Sequence, residues 1–213
     1  NVDKVVCNRD YEPYAHERDE SIKNLLAKAG VQFETYKDQV VFEKNEVVKR
    51  DGTPYKVYTP YSRKWLEKLE SEPIKLFPSE NHLDKLASEV SLPELSLSEM
   101  GFDKSVVAQP KFRFDDSLVD EYEATRNFPA LNQTSRLGAH LRFGTVSVRK
   151  LVFQSSIRPN NTFLKELIWR EFFMQILFHF PHTPSESFKP QYDRILWRND
   201  PEEFQKWCNG ETG

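Results

Sequence analysis

Residues 161–180 read NTFLKELIWREFFMQILFHF, and their spacing decides the architecture of the second half of the chain. Neither Gly nor Pro interrupts the stretch; Pro159 lies just upstream and Pro181 just downstream, so one long helix is predicted between them. On a wheel of about 100° per residue, Trp169, Phe173, Ile176 and Phe180 share one face. Phe163, Leu167, Met174 and Phe178 share a second, and Leu164, Ile168 and Phe172 a third. Apolar side chains in nearly every direction predict a largely buried helix. Within it Glu166 falls about 60° from Trp169 and about 40° from Arg170. Glu166 and Arg170 are also i and i+4 in the favourable order. Two readings stand here: the ion pair neutralises itself in the core, or this face lines a polar cavity.

Working outward, the neighbouring segments are helical too. DDSLVDEYEATRNF stops before Pro129, SRLGAHLRFG closes at Gly144, and SVRKLVFQSS has Ser147 as its expected N-cap. DPEEFQKWCNG is predicted as a last helix with Gly210 just past its end. The first 70 residues differ. VDKVVCN reads as a short buried strand and RDESIKNLLAKAG as a helix stopped by Gly30. VQFETYK and QVVFEK return to strand-like alternation, and SRKWLEKLE reads as a short helix. Residues 71–110 are rich in Ser, Pro and Glu without a sustained period, which predicts a linker between an α/β unit (residues 1–70) and a helical unit (residues 111–213).

Composition narrows the function classes. A 213-residue chain with 38% apolar residues can bury a substantial core, and no run of 18 apolar residues offers a membrane span. Cys7 and Cys208 stand alone, without metal or redox spacing, which points to a reducing, cytoplasmic setting. The overall charge of −3 favours no partner. Between Thr134 and Arg170, however, Arg136, Arg142, Arg149, Lys150, Arg158, Lys165 and Arg170 face only Glu166. Such a basic segment suits a phosphate-bearing partner, or is simply a set of solvated helix faces.

A second chemical feature is QTSRLGAHLRFG. Thr134 and Ser135 are predicted to open a helix, offering hydroxyls and unpaired N–H groups to a phosphate, while Gly138 permits close approach. An ordinary Ser/Thr cap explains the same residues. No Walker loop, GxGxxG or nucleophile elbow occurs, and His179 and His182 flank Pro181 without a third metal ligand, so neither a metal site nor a side-chain catalyst is predicted.

Taken together, YEATRNFPALNQTSRLGAHLRFGTVSVR followed by FLKELIWREFF resembles the photolyase/cryptochrome family of light-driven flavoproteins. EPYAHERD, YKVYTPYSRKW and the closing WCNGETG fall in the order that family shows. The resemblance implies a Rossmann-like α/β antenna domain, here partial, followed by the first half of an all-α flavin-binding domain. It implies FAD contacts at Tyr122, Thr134, Ser135, Arg136, Leu137 and Gly138, with Arg170 beside the flavin cavity. Family members carry Ser-Pro where this chain has Gly138-Ala139, so a contact at 138 is expected through the backbone. Arg126, Glu166 and Trp169 correspond to residues at the DNA lesion: a basic group, an acid touching the damaged pyrimidine pair, and a ring stacking on it.

The function so implied is splitting of cyclobutane pyrimidine dimers in UV-damaged DNA by an electron from excited, reduced FAD, with a second antenna chromophore of unassigned identity. A cryptochrome-like blue-light receptor is the alternative, and Glu166 beside Trp169 favours repair. The resemblance further implies a monomer. The chain is expected to be an internal piece that purifies without flavin and lacks activity by itself. Trp197 and Trp207 are expected to pack in the core rather than to relay electrons.

Overall fold

The computed structural model describes residues 2–87, 95–107 and 111–212. Residues 88–94 and 108–110, part of the segment read as a linker, lie outside the described residues. The chain opens with a βαβ unit: β1 (Lys4–Asn8), α1 (Pro13–Lys28) and β2 (Gln32–Tyr36). The strands pair in parallel with Lys4 opposite Gln32 and Asn8 opposite Tyr36. Pro13 stands at the start of α1, where its missing N–H costs nothing, and Gly30 (φ +71°) turns the chain out of the helix. β1 is not buried, contrary to the expectation. In this two-stranded sheet its residues alternate between exposed and half-buried, and Val6 is 57% exposed.

Then follow α2 (Tyr58–Ser71), a 3₁₀ turn (Ser79–Lys85), α3 (Asp116–Thr125), α4 (Gly138–Arg142), α5 (Val148–Ser156), α6 (Thr162–His179), a second 3₁₀ turn (Pro190–Arg194) and α7 (Pro201–Asn209). Caps set several of these starts. Asp115 accepts from Leu118 N at 2.9 Å, Ser147 from Lys150 N at 3.4 Å, and Asp200 from the N–H groups of Glu202 and Glu203. Gly210, at φ +74°, closes α7.

The organising element is α6, against which α2, α3 and α5 pack. Phe163, Leu164, Leu167, Ile168 and Phe172 of α6 meet Tyr61 and Trp65 of α2, Leu118 and Val119 of α3, and Val148, Leu151 and Val152 of α5. Each fully buried side chain of this size contributes about 1.5–3 kcal/mol. Val41, Phe42 and Val47 join the same cluster, so one core draws on residues from both sides of 71–110.

QVVFEK is not a strand. Its backbone hydrogen bonds go to side chains of α6 instead. Val41 N and Phe42 N donate to the Glu171 carboxylate at 2.6 and 2.9 Å, and Gln175 Nε2 donates to Phe42 O at 3.1 Å. A buried apolar stretch needs its N–H and C=O groups satisfied, and here a helix does it without a neighbouring strand. The expectation for Trp197 and Trp207 also fails: they are 70% and 67% exposed. Trp207 stacks on Phe204 of the same helix (5.9 Å, 17°), and α7 has no buried residue among those described.

Candidate functional site

The first turns of α6 carry a cluster of polar and aromatic groups drawn from three helices. Glu166 of α6 forms an ion pair with Arg126, at the end of α3. The pair is about one-third exposed on both sides, and the hydrogen bond to Glu166 raises the Arg126 guanidinium above its ordinary value. Arg126 also lies over the Tyr122 ring, 5.5 Å from its centroid, and Tyr122 meets Phe163 edge-on at 5.0 Å. Burial, then the neighbouring Glu166 charge, raise the Tyr122 phenol. Three residues on, Trp169 stacks on Tyr58 of α2 with centroids 3.6 Å apart and planes 6° from parallel. A half-exposed indole beside a carboxylate and a guanidinium can do two things at once: stack a planar apolar ring and accept from its N–H groups.

Glu166 and Arg170 do not pair. Arg170 donates to Gln39 O at 2.6 Å and to Leu141 O at 3.2 Å, bridging the loop after β2 to α4. Backbone carbonyls give it neutral partners, and burial is the first cause of its lowered guanidinium value. The acid held in the core is Glu171, 2% exposed, which sequence reasoning passed over. Its Oε1 accepts from Trp65 Nε1 at 2.5 Å as well as from Phe42 N, and its Oε2 accepts from Val41 N. Burial pushes this carboxyl up to about 7, against the hydrogen bonds and the Arg170 charge that favour the anion. Beyond it, Arg9 and Tyr11 hydrogen-bond Glu43 and hold that carboxyl below its usual range although burial works the other way. One signal was available: Glu171 and Gln175 are polar positions i and i+4 on a face otherwise made of Leu164, Leu167 and Ile168.

Thr134 and Ser135 do not open a helix. They lie in extended chain, and α4 begins at Gly138. Two features prevent an earlier start: Arg136 takes a left-handed conformation (φ +54°), and the Ser135 carbonyl accepts from the distant Arg113 N at 2.9 Å rather than starting a helical ladder. Leu137, 3% exposed, anchors the segment in the core, while Thr134, Arg136 and Gly138 are exposed. A Cβ added at Gly138 would meet nothing within 4 Å. Two hydroxyls and a guanidinium on an open segment form a donor set that suits a pyrophosphate, so these residues fit the phosphate part of a dinucleotide. The structure thus joins Tyr122, Arg126, Glu166 and Trp169 in one cluster. Thr134, Ser135, Arg136, Leu137 and Gly138 form a separate contiguous segment, and Arg170 bonds to Leu141 O in the helix that follows it.

Residues 1–80 match the DNA photolyase family, and residues 163–213 match the FAD binding domain of DNA photolyase. The chain belongs to the photolyase/cryptochrome family. A deoxyribodipyrimidine photo-lyase of Halobacterium salinarum is 32% identical over 234 aligned residues, covering 99% of this chain and 48% of the relative. The crystal structure of a bacterial class III photolyase from Agrobacterium tumefaciens superposes with a TM-score of 0.73 at 26% identity, covering 98% of this chain and 47% of that one. A Synechocystis cryptochrome shares the fold alone, with a TM-score of 0.70 at 16% identity, covering 99% of this chain and 49% of that one. The chain spans about half the length of the curated relatives it matches. Photolyase/cryptochrome architecture accounts for a small parallel sheet and helix at the start and helices after it.

Proposed function

We propose that this chain serves light-driven repair of UV-damaged DNA as part of a deoxyribodipyrimidine photo-lyase, presenting a cyclobutane pyrimidine dimer to reduced FAD. The observation that carries the reading is the Trp169–Glu166–Arg126 cluster on the first turns of α6. A pyrimidine pair turned out of a duplex needs a flat apolar surface and an acceptor for its imide N–H groups. Trp169 supplies the surface and Glu166 the acceptor. Arg126 holds Glu166 in place through their ion pair, and its charge suits the adjoining DNA phosphates. Tyr122, Thr134, Ser135, Arg136, Leu137 and Gly138 are assigned to FAD, the hydroxyls and guanidinium to its phosphates. Arg170 braces α4, which follows this segment, through the Leu141 carbonyl. When bound, reduced FAD supplies the light-driven electron that opens the cyclobutane ring.

In this reading residues 1–70 belong to the antenna unit and 111–213 to the flavin-binding unit, with 71–110 connecting them. The two family matches, 1–80 and 163–213, fall on either side of residues 81–162, while one core joins Val41, Phe42, Tyr61 and Trp65 to α3, α5 and α6. A second, light-harvesting chromophore, a monomeric state and a cytoplasmic location complete the proposal. No helix among the described residues is long and apolar enough to cross a membrane. The test is illumination of the full-length protein with an oligonucleotide carrying one cyclobutane thymine dimer. Repair in the light and none in the dark is the expected result. Bound, photoreducible flavin without any repair would replace this reading by a photoreceptor one.

A further inference from the structure

One turn on, the exposed Phe173 ring lies 5.6 Å from the Trp169 indole and 25° from parallel, and one face of that indole is already taken. Tyr58 lies parallel to it at a centroid distance of 3.6 Å, which is van der Waals contact, so no base can enter between the two rings. Tyr58 is itself fixed at two further points. Its hydroxyl donates to Lys165 O at 3.0 Å, one turn before Trp169 on the same helix. Phe172 packs edge-on against both rings, 5.9 Å from Tyr58 and 5.7 Å from Trp169. Burial pushes the phenol up to about 12, so the hydroxyl stays a donor at neutral pH. Tyr58 is the first residue of α2, so the contact also ties the α2 side of the core to the lesion-facing turns of α6.

We propose that Tyr58 is a positioning residue for lesion binding, backing the Trp169 indole and fixing its plane so that the opposite face receives the pyrimidine pair. The proposal rests on the reading of Trp169 as the lesion platform. A tryptophan on a helix surface samples several rotamers, and a ring ordered before the base arrives loses less entropy on binding. Tyr58 supplies that order twice, by parallel contact and by the hydrogen bond that holds it against the backbone of α6. The opposite role, a removable plug covering the stacking face, would require breaking the Lys165 bond and the Phe172 contact for every lesion bound.

The test uses the full-length protein and two probes, a duplex with one cyclobutane thymine dimer and the same duplex undamaged, with Kd measured for each. Tyr58→Leu is expected to reduce the preference for the damaged duplex by about tenfold, within the range of one base–aromatic stack. Affinity for the undamaged duplex should change less than about twofold, because phosphate contacts are untouched. Tyr58→Phe, which keeps the ring, should retain most of the preference. Tyr58→Met fills the volume without a ring and replaces Tyr58→Leu should the latter not fold. Trp169→Ala is measured alongside. If Trp169→Ala loses the preference and neither ring-less Tyr58 variant does, the Tyr58 proposal is wrong and the platform reading survives. If Trp169→Ala keeps the preference, the platform reading fails and the Tyr58 proposal falls with it. Equal loss on both duplexes marks a general structural role and also overturns the proposal, as does tighter lesion binding by Tyr58→Leu, the signature of a plug.

Discussion

Glu171→Gln separates the charge of the buried carboxylate from its hydrogen bonds. Glu171 is 2% exposed and accepts from Val41 N, Phe42 N and Trp65 Nε1. Burial raises its carboxyl from an ordinary 4.5 to about 7, so the folded chain keeps the proton over a range in which the unfolded chain has released it. The stability it contributes is fully present below about 4.5 and is lost as pH rises through about 7. At about 1.36 kcal/mol per pH unit across that interval, the swing is ~3 kcal/mol. The nearby phenols of Tyr11 and Tyr61 are raised, chiefly by burial, and stay protonated throughout. Gln is neutral and removes the swing. Its carbonyl can still accept from Phe42 N and Trp65 Nε1, but its NH₂ group faces Val41 N–H and leaves that donor unsatisfied, at about 1–3 kcal/mol. The variant should therefore be less stable than the wild type near about pH 5 and draw level with it, or pass it, near about pH 8. Urea unfolding followed by tryptophan emission checks this directly, because Trp65 is 1% exposed and bonded to the residue being changed. A difference between wild type and variant that stays constant across the pH series refutes the reasoning.

Two further outcomes follow from the same contacts. Ile168→Ala, at a residue with 0% exposure in the centre of α6, should cost about 2–5 kcal/mol, read as a lower urea midpoint with an unchanged slope. Glu166→Gln should weaken binding of dimer-containing DNA by about tenfold, since the lost acceptor is a charged one, while leaving flavin content and urea midpoint near those of wild type because the Arg126 pair is partly exposed.

Periodicity and punctuation set α6, α5 and α7 in advance. Uninterrupted apolar spacing between Pro159 and Pro181, Ser147 as a cap and Gly210 past a helix end are local signals, and the structure uses each of them. The quoted motifs likewise carried the family, because they are contiguous in the chain. What failed depended on contacts between distant residues. QVVFEK alternates like a strand, but Glu171, some 130 residues later, satisfies its backbone and keeps it a loop. Glu166 and Arg170 have the spacing of an ion pair, yet Arg126 and two backbone carbonyls offer each a better-placed partner. Thr134 and Ser135 have the composition of a helix start, but the turn at Arg136 delays the helix to Gly138. Tyr58 drew no notice because its significance lies wholly in the plane of a ring on another helix. The sequence alone thus determined α5, α6 and α7 and the chemical groups available, since those follow from neighbours within a turn or two. The tertiary structure alone decided that Glu171 is the buried acid of α6 while Glu166 stays partly exposed beside Arg126, because desolvation and pairing depend on what packs against the helix.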